Sequence, residues 1–171
     1  MKNVFGLFGL CLLLVQVLPA AADARQKLDR STNLSDHRIA ILVATDALEQ
    51  SIYNQVNQYR ESQNLPPLVF DETIAEQARA HSVNMANLNL LSHDGFSDRV
   101  ETIKQVISYS GAAENVASNM GYAQPDDTAI QGWIKSPGHN RNMLGNYDLT
   151  GIGVAARGGE YYFTQIFIQK M

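Results

Sequence analysis

The sequence predicts a single α+β domain, and three observations support this. Over much of the chain, apolar residues recur three and four positions apart, as in amphipathic helices. The chain ends in two apolar segments separated by a glycine-containing turn, which predicts an antiparallel hairpin. The length of 171 residues suits one ordinary domain. Helices first and a hairpin last are typical of a layered α+β protein.

Composition narrows the class of protein. Hydrophobic residues make up 45% and charged residues 18% of the chain, which is a globular composition. The net charge is -4 and there is no long basic run, so we expect no nucleic-acid partner. One cysteine excludes a disulfide scaffold and a cysteine-based zinc finger.

The N-terminus has the parts of a secretory signal peptide. A lysine at position 2 precedes the apolar run Val4–Leu18, and an alanine-rich exit follows. We therefore predict a signal peptide over residues 1–22, cleaved near Ala22, and no membrane span in the mature chain. An uncleaved anchor is the alternative, although the run is shorter than the roughly 20 residues of a bilayer span. Polar residues 23–37 are expected to be a flexible lead-in to a domain over residues 38–171.

The first predicted helix of the domain covers about residues 39–63. Ile52, Val56 and Tyr59 fall on one face of it. The prolines at 66 and 67 end it, because proline lacks the N–H donor and restricts the residue before it. Residues 68–70 form a short extended link.

Asp71 is the predicted N-cap of a second helix that runs to about Asn89. A third helix is predicted over about residues 97–107. The second helix carries one stripe of inward-facing residues: Ile74, Ala78, His81, Met85 and Leu88.

The remaining elements follow from proline and glycine positions. Residues 111–118 are expected to be extended, and Pro125 opens a fourth helix. Ser136-Pro137-Gly138 is expected to break that helix into a tight turn that carries His139. Strands are predicted over 150–156 and 161–169. The second is apolar on both faces, so we expect it to be central in its sheet.

Three polar side chains are candidates for a shared site. His93 and His139 lie in predicted loops after helices, and Glu114 lies in an apolar extended segment where an unpaired carboxylate would be costly to bury. Two imidazoles and one carboxylate form a catalytic-type zinc set with an open fourth position. His81, on the apolar stripe, is interpreted as a hydrogen-bonded core or cleft-wall residue. No Gly-x-Ser-x-Gly motif is present, so the sequence supplies no recognisable nucleophile.

The chain also resembles the CAP superfamily of cysteine-rich secretory, antigen 5 and pathogenesis-related proteins, in its cysteine-free bacterial form with an SCP-like domain. Five stretches occur in the family's order between about Ile52 and Phe167. They are Asn57-Gln58-Tyr59-Arg60 with Leu65-Pro66-Pro67-Leu68, Leu91-Ser92-His93, Glu114-Asn115-Val116-Ala117, Trp133 to Leu144, and Thr150 to Val154 with Tyr162-Phe163-Thr164-Gln165.

The resemblance implies a three-layer α-β-α sandwich with a small, mainly antiparallel central sheet. It also implies a cleft where histidines and acidic residues meet and where some members take zinc or another divalent ion. His93 and Glu114 match the family's first histidine and its Glu-Asn motif, and His139 matches the bacterial Ser-Pro-Gly-His pattern. Tyr162 stands where animal and plant members place a histidine, and the family's further glutamate has no counterpart.

Two neighbouring residues complete the candidate ligand site. Asn115 could fix a loop through side-chain hydrogen bonds to the backbone, and Arg141 could pair with a carboxylate or a ligand anion. The predicted cleft residues are His93, Glu114, Asn115, His139, Arg141 and Tyr162.

Three functions remain open from the sequence. The first is an exported, monomeric binding module at the cell surface or in the periplasm that holds a sterol, lipid, glycan or protein ligand. The second is a metal-assisted hydrolase in which zinc on His93 and His139 activates water, with Glu114 as ligand or general base. The third is a structural hydrogen-bond network that pins loops to the sheet.

Overall fold

The structure, a computed structural model, describes residues 19–171. At residues 19–24, 29, 33 and 37–43 it describes the backbone alone. The predicted signal peptide therefore lies almost entirely outside the described residues. The chain divides after Ile39, and the unit Ala40–Met171 holds the sheet and all of the core. Among the described residues, no helix is both long enough and apolar enough to cross a membrane.

Residues 23–37, expected to be a flexible lead-in, are helical. They belong to the first helix, α1, which covers Pro19–Ser62. No proline or glycine occurs between Ala20 and Ser62, so nothing in the sequence interrupts the backbone hydrogen bonds. The side chains described between Arg25 and Asp36 are all exposed, which accounts for their polar composition.

The unit from Ala40 onward contains a four-stranded sheet in the order β1-β3-β4-β2. The β1–β3 pair is parallel, and the β3–β4 and β4–β2 pairs are antiparallel. The hairpin and the central position of its second strand are confirmed. The elements after α1 are β1 Val69–Phe70, α2 Glu72–Leu88, α3 Phe96–Lys104, β2 Tyr109–Met120, α4 Pro125–Lys135, α5 Pro137–Met143, β3 Leu149–Arg157 and β4 Glu160–Lys170.

Each face of the sheet is covered by helices, which confirms the three-layer sandwich. On one face, the end of α1 and helices α4 and α5 pack Ile52, Val56 and Trp133 against Phe163 and Phe167 of β4. On the other, α2 and α3 pack against β4 in a cluster made of Ile74, Ala78, Ile103, Ile166 and Ile168. The alternation of β4 side chains supplies both cores, as expected for a strand buried on two sides.

The predicted helix signals are mostly confirmed. The Asp71 side chain accepts a hydrogen bond from the Ile74 N–H at 3.1 Å and so caps α2. The inward stripe of α2 is buried except for Leu88, which is 64% exposed; the prediction for that residue was wrong. Leu88 is the last residue of α2, where Asn89 turns the chain into the left-handed region at φ 52. The stripe therefore leaves the sheet before it reaches Leu88.

The tight turn predicted at residues 136–144 is a second helix. Ser136 is extended, at φ -89 and ψ 117, and α5 begins immediately at Pro137. Proline ends α4 because it prevents helical conformation in the residue before it, yet its own fixed φ suits the first position of a new helix. The same residue therefore ends one helix and begins the next.

Side chains satisfy backbone groups on edge strand β2 and on the part of β3 that extends beyond the short strand β1. On β2, Trp133 Nε1 donates to Val116 O at 3.0 Å, and Asn142 Nδ2 donates to Glu114 O at 3.2 Å. On β3, the Glu49 carboxylate accepts from Val154 N at 3.0 Å. Exposed edge groups invite pairing with other chains, and these contacts satisfy them within the domain.

Two glycines allow α2 to lie directly on β3. A Cβ at Gly151 would be 2.2 Å from the Ala75 backbone nitrogen, and one at Gly153 would be 2.1 Å from that of Arg79. The close approach lets Ser82 Oγ donate to Gly153 O at 2.8 Å. The glycines of the Thr150–Val154 stretch are therefore required by helix–strand packing.

We expect Gly153→Ala to lower the free energy of unfolding by about 3 kcal/mol, because the methyl group collides with helix backbone that cannot rotate away. Gly132→Ala is the matched control, since nothing lies within 4 Å of a Cβ there. Gly132→Ala replaces a helical glycine and should raise the free energy of unfolding by about 0.5–1 kcal/mol. Urea unfolding measures both. If Gly153→Ala unfolded at the same urea concentration as the wild type, the packing argument would be contradicted.

Candidate functional site

The Glu-Asn motif of β2 serves both faces of the sheet. Glu114 lies opposite Ile166 and Asn115 lies opposite Gln165 on β4. Because successive side chains of a strand alternate, Glu114 points to the α2–α3 face and Asn115 to the α4–α5 face. The two residues therefore act in different layers of the domain.

Glu114 is held in a buried ion pair with Arg99 of α3. Arg99 Nη2 lies 2.9 Å from Oε1 and 2.7 Å from Oε2, and Nε lies 3.0 Å from Oε2. The Arg99 side chain is 10% exposed and the Glu114 side chain 1%. The guanidinium is also fixed by the Asp94 carbonyl, which accepts from Nη1 at 2.8 Å. This bidentate geometry is the strongest form of side-chain pairing.

His93 is joined to the same carboxylate. Its Nδ1 lies 2.9 Å from Glu114 Oε1. Since the carboxylate already accepts from Arg99, His93 is the donor, and its Nδ1 carries the hydrogen. The His93 side chain is 54% exposed, so Nε2 is left to face solvent. The arrangement orients one exposed imidazole on a buried charged pair.

His81 supports the loop that carries His93. Its ring Nε2 lies 2.7 Å from the Ser92 carbonyl, and the residue is 4% exposed. Burial lowers the pKa of His81, and the nearby Arg99 charge also lowers it, although the hydrogen bond to Ser92 and the Glu114 charge act in the opposite direction. His81 is therefore a buried, hydrogen-bonded histidine, in agreement with its interpretation as a core or cleft-wall residue.

The backbone of His139 meets Asn115 on the α4–α5 side of β2. Asn115 Nδ2 donates to the backbone carbonyl of His139 at 3.1 Å, and Asn142 Nδ2 donates to Asn115 Oδ1 at 2.9 Å. The loop-fixing role expected of Asn115 therefore takes the form of holding α5 against the sheet. The His139 imidazole is partly buried; burial lowers its pKa, and the His93 ring lowers it further.

Two predicted site residues lie elsewhere. Tyr162 is the cross-strand partner of Ser118. Ser118 lies four residues along β2 from Glu114, and four residues of a strand span about 13 Å. Its hydroxyl lies 2.9 Å from Asn89 Oδ1 and 2.9 Å from Glu160 Oε2, far from His93 along the strand. Arg141 is exposed on α5. Tyr162 was assigned to the cleft because it stands where animal and plant members of the family place a histidine, and its contacts with Asn89 and Glu160 correct that placement.

The described residues do not fit the expected zinc set. No group of three or more His, Cys, Asp or Glu among them is placed to hold a metal ion. Only His93 and Glu114 of the predicted ligands are in contact, and Arg99 occupies both oxygens of the carboxylate. A cation would have to displace a guanidinium that is held on two sides.

Sequence reasoning missed Arg99 and Asn142. Arg99 lies four residues before Ile103, which is fully buried, so both project from the inner face of α3. An arginine on the apolar face of a short helix indicates a buried acidic partner. Asn142 sits in the Trp133–Leu144 stretch, but its contact with the β2 edge depends on a helix that the sequence did not predict.

Comparisons with known proteins find a matching family model and similar chains. The model of the cysteine-rich secretory protein family, CAP, matches residues 53–168. YkwD of Bacillus subtilis is 34% identical over 130 residues, which is 74% of this chain and 49% of YkwD. The membrane protein YlbC of the same organism is 33% identical over 127 residues, covering 71% of this chain and 34% of YlbC. The chain thus spans half or less of these relatives.

Solved structures share the fold. An extracellular protein of Bacillus anthracis with an SCP domain is 31% identical, with a TM-score of 0.64 over 76% of this chain and 43% of that one. An outer surface protein of Borrelia burgdorferi is 18% identical, with a TM-score of 0.65 over 73% of this chain and 94% of that one.

Replacing Glu114 tests how far the site depends on the buried pair. We expect Glu114→Gln to lower the free energy of unfolding by about 3 kcal/mol, because Arg99 is left buried without its counter-charge. Urea unfolding gives the value. In the matched control, Glu72→Gln breaks the pair of Arg79 with a side chain that is 62% exposed. Glu72→Gln should lower the free energy of unfolding by less than about 1 kcal/mol.

The double variant Arg99→Met/Glu114→Leu separates pairing from packing. Because both charges are removed together, it should be more stable than Glu114→Gln alone. If Glu114→Gln lowered the free energy of unfolding no more than Glu72→Gln does, the buried pair would not stabilise the site.

Proposed function

The chain belongs to the CAP family of cysteine-rich secretory proteins, and on this basis we propose that it is an exported binding module that holds an amphipathic small molecule beside His93. The observation that carries the proposal is the exposed His93 imidazole fixed on the buried Glu114–Arg99 pair. A hydrogen-bonding group that is pre-oriented in this way binds a ligand with little further loss of side-chain entropy.

Exposed leucines precede His93 along the chain. Leu88, Leu90 and Leu91 are 64%, 52% and 48% exposed, and all lie within five residues of His93. Single exposed leucines are ordinary on protein surfaces, but three within four positions concentrate apolar surface in the segment that leads to His93. A polar group next to apolar surface suits a molecule with one polar end and a hydrocarbon body, such as a sterol or a fatty acid. A glycan would leave the leucines without a partner.

The hydrolase alternative has less support. A general base needs a free lone pair directed at water or substrate. Both Glu114 oxygens already accept hydrogen bonds, and the side chain is 1% exposed. Using Glu114 as a base would require breaking the buried pair. The structural-network hypothesis, in contrast, is compatible with binding, because the same contacts that stabilise the loop also orient His93.

Export is the second part of the proposal. The apolar segment Val4–Leu18 with its alanine-rich exit supports a signal peptide. The similar Bacillus anthracis protein is extracellular, and the Borrelia burgdorferi protein, similar in fold, is an outer surface protein. A mature chain without cysteine needs no oxidative folding outside the cell.

Titration with a sterol, a palmitate-length fatty acid and a cell-wall glycan fragment tests the binding proposal. We expect saturable binding of the sterol or the fatty acid. His93→Ala should weaken it about tenfold, which is the effect of losing one good hydrogen bond. A Leu90→Ser/Leu91→Ser variant should weaken it as well, because the apolar contact is lost.

The matched control is Gln131→Ala, an exposed position on α4, on the opposite face of the sheet. It should leave binding unchanged. Absence of saturable binding to both amphipathic probes, or equal loss of affinity in the control, would contradict the proposal.

A further inference from the structure

A guanidinium lies where a metal ion would have to bind to use His93 and Glu114 as ligands. We propose that Arg99 is the resident cation of this site and that it keeps divalent metal ions off the His93–Glu114 pair. The inference goes beyond the proposed function, because it concerns the cation that organises the site and not the molecule bound beside it.

The first support is the geometry of the carboxylate. Arg99 Nη2 contacts both Glu114 oxygens, at 2.9 and 2.7 Å, and therefore sits in front of the carboxylate where a bidentate ion would sit. Nε adds a third contact at 3.0 Å. A zinc ion binds carboxylate oxygen at about 2.0–2.2 Å. It cannot approach to that distance while the guanidinium stays in place.

The second support is that the guanidinium is held from behind. Nη1 donates to the Asp94 carbonyl at 2.8 Å, and a Cβ at Gly95 would lie 3.3 Å from Nη1. Gly95 is in the left-handed region, at φ 75, and precedes the first residue of α3. The Arg99 side chain is 10% exposed, so it has little room to swing into solvent.

The third support is charge. Even with the dielectric constant of bulk water, a unit positive charge about 5 Å from a divalent ion repels it enough to weaken binding about tenfold. At a site that is mostly shielded from solvent the effect is larger. The imidazole cannot join Glu114 on one ion as the two stand, because its Nδ1 carries the hydrogen of their contact and its free Nε2 lies on the other side of the ring.

Zinc titration by calorimetry tests the inference on the full domain. Arg99→Gln removes the charge and frees the carboxylate, and it should bind zinc at least about tenfold more tightly than the wild type. Arg99→Lys keeps the charge and should behave as the wild type does. His93→Ala in the Arg99→Gln background should abolish the gain.

Arg157→Gln is the matched control, because Arg157 donates to the Ala86 and Asn87 carbonyls and, within the described part of the chain, to no carboxylate. It should leave zinc affinity unchanged. Two results would overturn the inference. One is a wild-type zinc affinity that equals that of Arg99→Gln and is lost on His93→Ala. The other is an Arg99→Gln protein that is folded by circular dichroism and gains no zinc affinity.

If Arg99→Gln does not fold, a zinc titration of the wild-type protein followed by NMR tests the inference instead. The side-chain carboxyl carbon NMR signal of Glu114 should stay in place when zinc equimolar with the protein is added, and its shift would overturn the inference. These titrations contain zinc and no amphipathic probe. Their failure is therefore distinguishable from failure of the proposed binding function.

Discussion

The site depends on one constraint: a carboxylate on the inner face of a strand must find a counter-charge. Glu114 is 6% exposed as a residue, and Arg99 of α3 supplies the charge through a bidentate contact. An unpaired carboxylate in that position would be expensive to bury. The Asp94 carbonyl and the exposed His93 ring are both held by this pair, and α3 is tied to β2 through it.

The strand that carries Glu114 also organises the opposite layer. Asn115, the next residue, points to the other face and holds α5 through the His139 carbonyl and Asn142. Asn142 in turn satisfies the Glu114 carbonyl at the free edge of β2. Two adjacent residues thus tie a helix to each side of an edge strand, which gives a physical reason for finding glutamate and asparagine together here.

The sequence predicted the features that depend on local rules, such as the buried face of α1 at Ile52 and Val56 and the Asp71 cap of α2. The contact of His93 with Glu114 was predicted by resemblance, although the two are 21 residues apart. The pairing of Arg99 with Glu114 could not be predicted, because it depends on how α3 is placed against β2. Tyr162 was misplaced because it was assigned from the position of a histidine in other family members, and a tyrosine there makes its own contacts, with Asn89 and Glu160.

The most direct measurement of the central claim is the tautomer of His93, from long-range nitrogen–proton NMR correlations at a pH where the ring is neutral. If the Glu114–Arg99 pair holds the ring as described, Nδ1 carries the hydrogen and Nε2 is the free acceptor that faces solvent. A neutral His93 with its hydrogen on Nε2 would mean that the carboxylate does not hold the ring. The account of the site would then be contradicted.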